Sequence, residues 1–327
     1  MSHCFCSVVS KANGEDLIGW AHNFDRYLLI EMPLPWSEDL WEKGDVLPQA
    51  VVDKIKQVKA SGTSLEPLVF CPDQEYSHPD YTRILYYDRP AQQFAQFRKQ
   101  EFVVPTAKLT DLVTALLDSS EHISEFESCR QNSDRIREFF VCTHGNVDAA
   151  CAKFGFPIYR KLRSEYVPAS HGNLRVWRVS HFGGHQFAPT LIDFPEGRYW
   201  GRLEPEMLDL LVWRQGKVSE LRPFYRGWAG LGWVEQIAER EIWMQEGWDW
   251  INYLKIGKTL AIDSSDEDYP DWVEVRIDFT SVDGSVSGAY EARIEAKGTV
   301  KTMWTSGKDQ PLWEVKQYCV NRLNRVD

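Results

Sequence analysis

Twice in its first two thirds, the chain runs through the same succession of elements: strand, helix, strand, strand, strand, helix. In the first pass, residues 26–33 (RYLLIEMP) read as a strand, 47–62 as a helix with Pro near its start and Gly past its end, and 65–70 (LEPLVF) as a strand. Residues 82–88 and 100–105 follow as strands, and 106–118 as a closing helix opened by a Thr cap. In the second pass the strands fall at 137–143, 174–180, 189–194 and 198–203, and the helical stretches at 147–166 and 205–216. A helix between two strands makes them parallel and a hairpin makes them antiparallel, so each pass demands a mixed sheet with helices on its faces.

This is a thioredoxin-like layout, and its repetition predicts two tandem thioredoxin-like domains, residues 1–120 and 135–222, joined by a polar connection over 119–134. The fold class expected is α/β (α+β). From 223 to 327 a smaller domain follows, with a Trp-rich helical stretch at 226–250 and then antiparallel strands separated by DG, KG and SGK turns. Five tryptophans of this region (228, 233, 243, 248 and 250) stand at spacings that favour core packing over a docking surface.

A net charge of −11 argues against nucleic acid, which selects clustered Lys and Arg. The apolar runs are too short to cross a bilayer, and the first residues lack a basic-then-apolar leader, so no membrane role and a cytoplasmic location are expected. Seven cysteines, an odd number, point to free thiols or ligands rather than disulfides. Cys71, Cys129 and Cys319 read as small buried hydrophobes, and Cys4 and Cys6 as a flexible terminal pair without function, as a redox thiol pair, or as thiols reaching back to a site.

Cys142 ends the first strand of the second pass and Cys151 follows nine residues later, whereas His181 and His185 come directly after another strand of the same sheet. If the strands pair as expected, both pairs leave one end of the sheet. Gly183 and Gly184 stand between the histidines and oppose a helix there, placing the pair on a loop whose amides can approach a bulky anionic group. His144 completes half of a Rieske pattern, but Phe154 stands where the second half needs histidine, which leaves His144 as a neighbour of the site. Two thiols and two imidazoles suit zinc and iron–sulfur chemistry equally.

The stretch from Phe139 to Leu221 resembles the thioredoxin-like [2Fe–2S] ferredoxins, with the hairpin FPEGRYWGRLEPEMLDLL and with HFGGH where those proteins carry a second cysteine pair. CFCSVVS, GEDLIGWA, MPLPW, VCTHG and FYRGWAGL resemble the sucrase/ferredoxin-like family over nearly the full length. The resemblance implies one [2Fe–2S] cluster held by Cys142, Cys151, His181 and His185, with His144, Gly183 and Gly184 around it. It further implies electron exchange with a redox partner protein, a potential above that of plant-type ferredoxins, and coupling to a proton through the imidazoles. The first half has the element order without the ligands, with only His78 in its matching loop, and is expected to hold no cluster. Against this stand zinc binding, a metal-free adaptor, and the sucrose hydrolysis that the family's name carries, for which no convergent carboxylate pair is visible.

Overall fold

The computed structural model describes residues 4–43, 46–118, 121–263, 269–307 and 310–326. Residues 119–120 of the expected connection and Lys308 of the expected SGK turn lie outside them.

Helix α1 (Cys6–Ala12) precedes strand β1 (Arg26–Glu31), the single turn α2 (Leu40–Lys43) and helix α3 (Gln49–Ala60). Strands β2 (Leu65–Phe70), β3 (Tyr81–Asp88) and β4 (Arg98–Pro105) and helix α4 (Leu109–Leu117) complete the first half. The expected Thr cap is not used: Thr106 lies inside a 3-10 turn, and its hydroxyl bonds that of Thr82 at 3.1 Å. The second half repeats the order with β5 (Arg137–Cys142), α5 (Ala149–Lys161), the short α6 (Val167–Ala169), β6 (Leu174–Val179), β7 (Leu191–Phe194), β8 (Arg198–Trp200) and α7 (Leu208–Trp213).

Within each half the first strand lies parallel to the second and antiparallel to the third, as the helix crossover and hairpin dictate. The halves share one nine-stranded sheet, β4-β3-β1-β2-β6-β5-β7-β8-β9, in which β2 meets β6 antiparallel at Phe70 and Val179. One core, built on Leu28, Ile30, Val51, Ile55, Leu112 and Leu116, lies between the first half's sheet and its helices. A larger core crosses from half to half, where Tyr87 stacks on Phe194 at 4.1 Å. A buried ionic cluster reinforces this seam: Glu138 accepts from Lys99 at 2.7 Å and from the Trp177 indole at 2.7 Å, and Arg175 reaches Glu138 and Glu101.

The ninth strand corrects the sequence reading. Residues 226–250 were expected to be helical throughout, but β9 (Tyr225–Trp228) extends the large sheet and the helix α8 runs only over Trp233–Glu246. Gly227, Gly230 and Gly232 disfavour helix in this stretch, and the φ of Gly227 is +136°. Trp228, Trp243 and Trp250 are fully buried, while Trp233 and Trp248 pack against the core from its margin. A second sheet follows, β10 (Leu254–Ile262), β11 (Trp272–Thr280), β12 (Ser287–Thr302) and β13 (Trp313–Val326), all antiparallel. The KG dipeptide expected to turn the chain instead lies within β12, where the register shifts between Ala296 and Thr299 and the strand runs on. Among the described residues, no helix is long and apolar enough to cross a membrane.

Candidate metal centre

Cys142 is the last residue of β5, and β5 runs parallel to β6 with Cys142 beside Val179, so the 181–185 loop leaves the sheet where Cys142 does. Cys151 enters on the first turn of α5, which Asp148 caps by accepting from the Ala150 amide at 2.8 Å. Both sulfurs are buried, and the Nδ1 of His181 lies 3.9 Å from one and 3.8 Å from the other. These three donor atoms fall within 4.8 Å of one another, as a metal-binding group requires. Histidine 185 is adjacent: its ring centroid is 5.4 Å from that of His181.

The expected four residues therefore divide, three converging directly and the fourth held by a second group. The Nδ1 of His185 lies 3.5 Å from Asp148 and 3.3 Å from the Cys6 sulfur. Ser306, from the segment between β12 and β13, donates its hydroxyl at 2.7 Å and its amide at 2.8 Å to the same carboxylate. Cys6 is buried on α1 and so is not part of a flexible terminus, whereas Cys4 is exposed.

The electrostatics follow from these contacts. Burial would raise the Cys142 thiol, but hydrogen bonds from Cys151 and His181 hold it well below the usual range. Cys151 is pushed up by Cys142 first and burial second, so the geometry favours one thiolate over two in the pair. Burial lowers His185, with Asp148 opposing. Asp148 stays below the usual carboxylate range because, against its burial, Ser306 and the Ala150 amide donate to it.

His144 is buried; its backbone amide donates to the Cys142 sulfur, and its ring bonds elsewhere. Its Nδ1 accepts from the His181 amide at 3.3 Å, and its Nε2 faces the Trp36 carbonyl at 3.2 Å, which ties the loop to the first half of the chain. Gly183 and Gly184 adopt φ of +82° and +74°, and a Cβ on either would collide with His22 or Arg226. They pack the loop down onto those two side chains.

Sequence reasoning missed Asp148, Ser306, His22 and Arg226. Asp148 had a local signal, a capping aspartate three residues before Cys151, whereas Ser306 lies too far along the chain for any spacing rule to reveal it.

Fold and site together define an α/β protein whose thiolate and imidazole side chains form a candidate metal centre at one end of its large sheet. The chain belongs to the sucrase/ferredoxin-like family, whose model matches residues 17–227. No curated protein and no solved structure matches it. Cys142, Cys151, His181 and His185 lie inside the matched span, and Cys6 and Ser306 outside it.

Proposed function

We propose that the chain is an electron-transfer protein carrying one [2Fe–2S] cluster, with Cys142 and Cys151 on one iron and His181 and His185 on the other. The observation that carries this reading is the meeting of two buried thiols and two neighbouring imidazoles at one sheet end, within the span that matches the family. The donor set fits: thiolates hold iron–sulfur clusters, and two histidines can replace two cysteines on one iron. Such a cluster supplies reversible one-electron chemistry.

The residues divide the work. Cys142 and Cys151 are shielded from solvent, whereas His181 and His185 form the more open side, where a partner or a proton can reach. Asp148 stands 3.5 Å from His185 Nδ1 and the Cys6 sulfur 3.3 Å from it, so that nitrogen is engaged and Nε2 is the atom left to serve as a ligand. The imidazole side provides a titratable N–H, so the proposal includes proton coupling, together with exchange of single electrons with a redox partner in a cytoplasmic setting.

One observation favours a second reading. His181 Nδ1 stands nearly equidistant from the two sulfurs, the arrangement of three ligands on one tetrahedral ion such as zinc. Anaerobic purification followed by absorption and electron-paramagnetic-resonance spectra and iron, sulfide and zinc analysis separates the two. The cluster reading expects about two irons and two sulfides per chain, a reddish-brown colour, and loss of both in Cys142→Ser and Cys151→Ser. Stoichiometric zinc in cells supplied with ample iron refutes it.

A further inference from the structure

Beneath the loop joining His181 to His185 lies a buried cation that meets no carboxylate among the described residues. Arg226, on β9, is 0% exposed. Its Nη1 donates to the Gly183 carbonyl at 3.2 Å and its Nη2 to the Trp20 carbonyl at 2.6 Å, while its Nε has no partner. The rings of Phe182, Phe187 and Tyr199 complete its surroundings, 5.5–6.0 Å from the guanidinium carbon. A Cβ at Gly184 would stand 2.4 Å from Nη2, so glycine at that position lets the guanidinium sit directly against the loop.

The other buried arginines show what is unusual here. Arg83, Arg175, Arg198 and Arg240 each meet a carboxylate. Among the described residues, none pairs with Arg226. Carbonyl dipoles and ring faces offset only part of the cost of burying a full charge, and an opposite charge across a low-dielectric interior offsets it better. Burial pulls the guanidinium down to about 10, which still leaves it charged at neutral pH, and the groups that oppose this pull are Tyr199, Cys142 and Cys151. The fold has thus placed a positive charge against the Gly183–Gly184 loop that joins the two histidines, within electrostatic reach of the two sulfurs.

We propose that Arg226 is the fixed counter-charge of that centre and raises its midpoint potential. The proposal rests on the [2Fe–2S] reading above. Two ferric ions, two sulfides, two thiolates and two neutral imidazoles sum to zero charge. One electron from a single-electron donor makes one iron ferrous and leaves one net negative charge. A cation held nearby favours the second state over the first, and being buried it does so with little screening by salt.

The test uses the full-length chain, purified anaerobically, with iron and sulfide content, far-ultraviolet circular dichroism and the midpoint potential measured for each variant. Arg226→Gln should keep the cluster and lower the potential, and Arg226→Lys, which retains the charge, should restore it most of the way to the parent value. Gly184→Ala, which pushes the guanidinium away from the loop, should lower the potential by a smaller amount. Loaded Arg226→Gln protein with the parent's potential overturns the proposal and leaves the cluster reading standing. If Arg226→Gln does not fold, Gly184→Ala decides: a lowered potential supports the proposal and an unchanged one overturns it. A parent chain without iron and sulfide overturns the cluster reading and the proposal with it.

Discussion

Gly155 is the point where α5 touches the strand that carries Cys142. A Cβ built there stands 2.1 Å from the Cys142 carbonyl oxygen, and values below 3.0 Å do not occur in real structures. Gly155→Ala must therefore lift the helix from β5 by roughly 1 Å, because the obstructing atom is backbone and cannot rotate away. Cys151 lies one helical turn before Gly155 and on the same face, so the displacement also separates the two sulfurs. Overpacking of this kind costs about 1–3 kcal/mol, set against a gain of about 1 kcal/mol from the better helix propensity of alanine. A backbone clash puts the cost at the upper end, for a net loss of about 2 kcal/mol and a fall in melting temperature of roughly 3 °C for a chain of this size. Thermal unfolding followed by circular dichroism measures the first effect, and metal content per chain the second. A variant that melts with the parent and loads metal normally would refute the claim that α5 and β5 are held in register by the absence of a side chain.

Further expectations follow from other contacts. Glu138→Gln removes the charge facing Lys99 and Arg175 in the buried seam and should cost about 3–5 kcal/mol, read from urea unfolding; a loss below 1 kcal/mol would show the seam to be unimportant. Burial, with Arg226 and His181 nearby, lowers His22 from the usual 6.5 to about 4, so the unfolded chain binds its proton first as pH falls. Stability should decline between about pH 6.5 and 4, by at most on the order of 3 kcal/mol from this residue, and His22→Gln should flatten that slope in pH-dependent melts. Below it, Glu101, held at about 2 by Arg175 and Arg83 despite its burial, extends the loss from pH 4.5 toward 2. For the loaded centre, the potential should fall as pH rises through the imidazole pKa, and His185→Cys should lower it and weaken that dependence; a flat parent profile in film voltammetry would remove the case for proton coupling.

The doubled element order was legible because each strand is a short apolar run and several helices are bracketed by proline and glycine, signals that act within a few residues. The pairing of Cys142 with His181 was legible for the same reason: each follows a strand, and parallel neighbours release their chains at the same end. What escaped the sequence was set by distance along the chain. Cys6 and Ser306 bond each other 300 residues apart, and only the docking of the second sheet brings them together. Arg226 was hidden in a stretch whose aromatic spacing imitates a helix, although its glycines make a strand. The bulge in β12 was missed because lysine followed by glycine serves equally as a turn and as a break in register.

Ser306 closes the Asp148 and His185 side of the centre from a segment that the ribosome makes after everything it covers. About 120 residues separate His185 from Ser306, and synthesis at roughly 5–20 residues per second puts some 6–24 s between them. Throughout that interval both cysteines and both histidines have been made while Ser306, the last part of the cover over Asp148 and His185, has not. Under the cluster reading proposed above, the order of synthesis leaves the His185 side of the centre open for loading until Ser306 has been made.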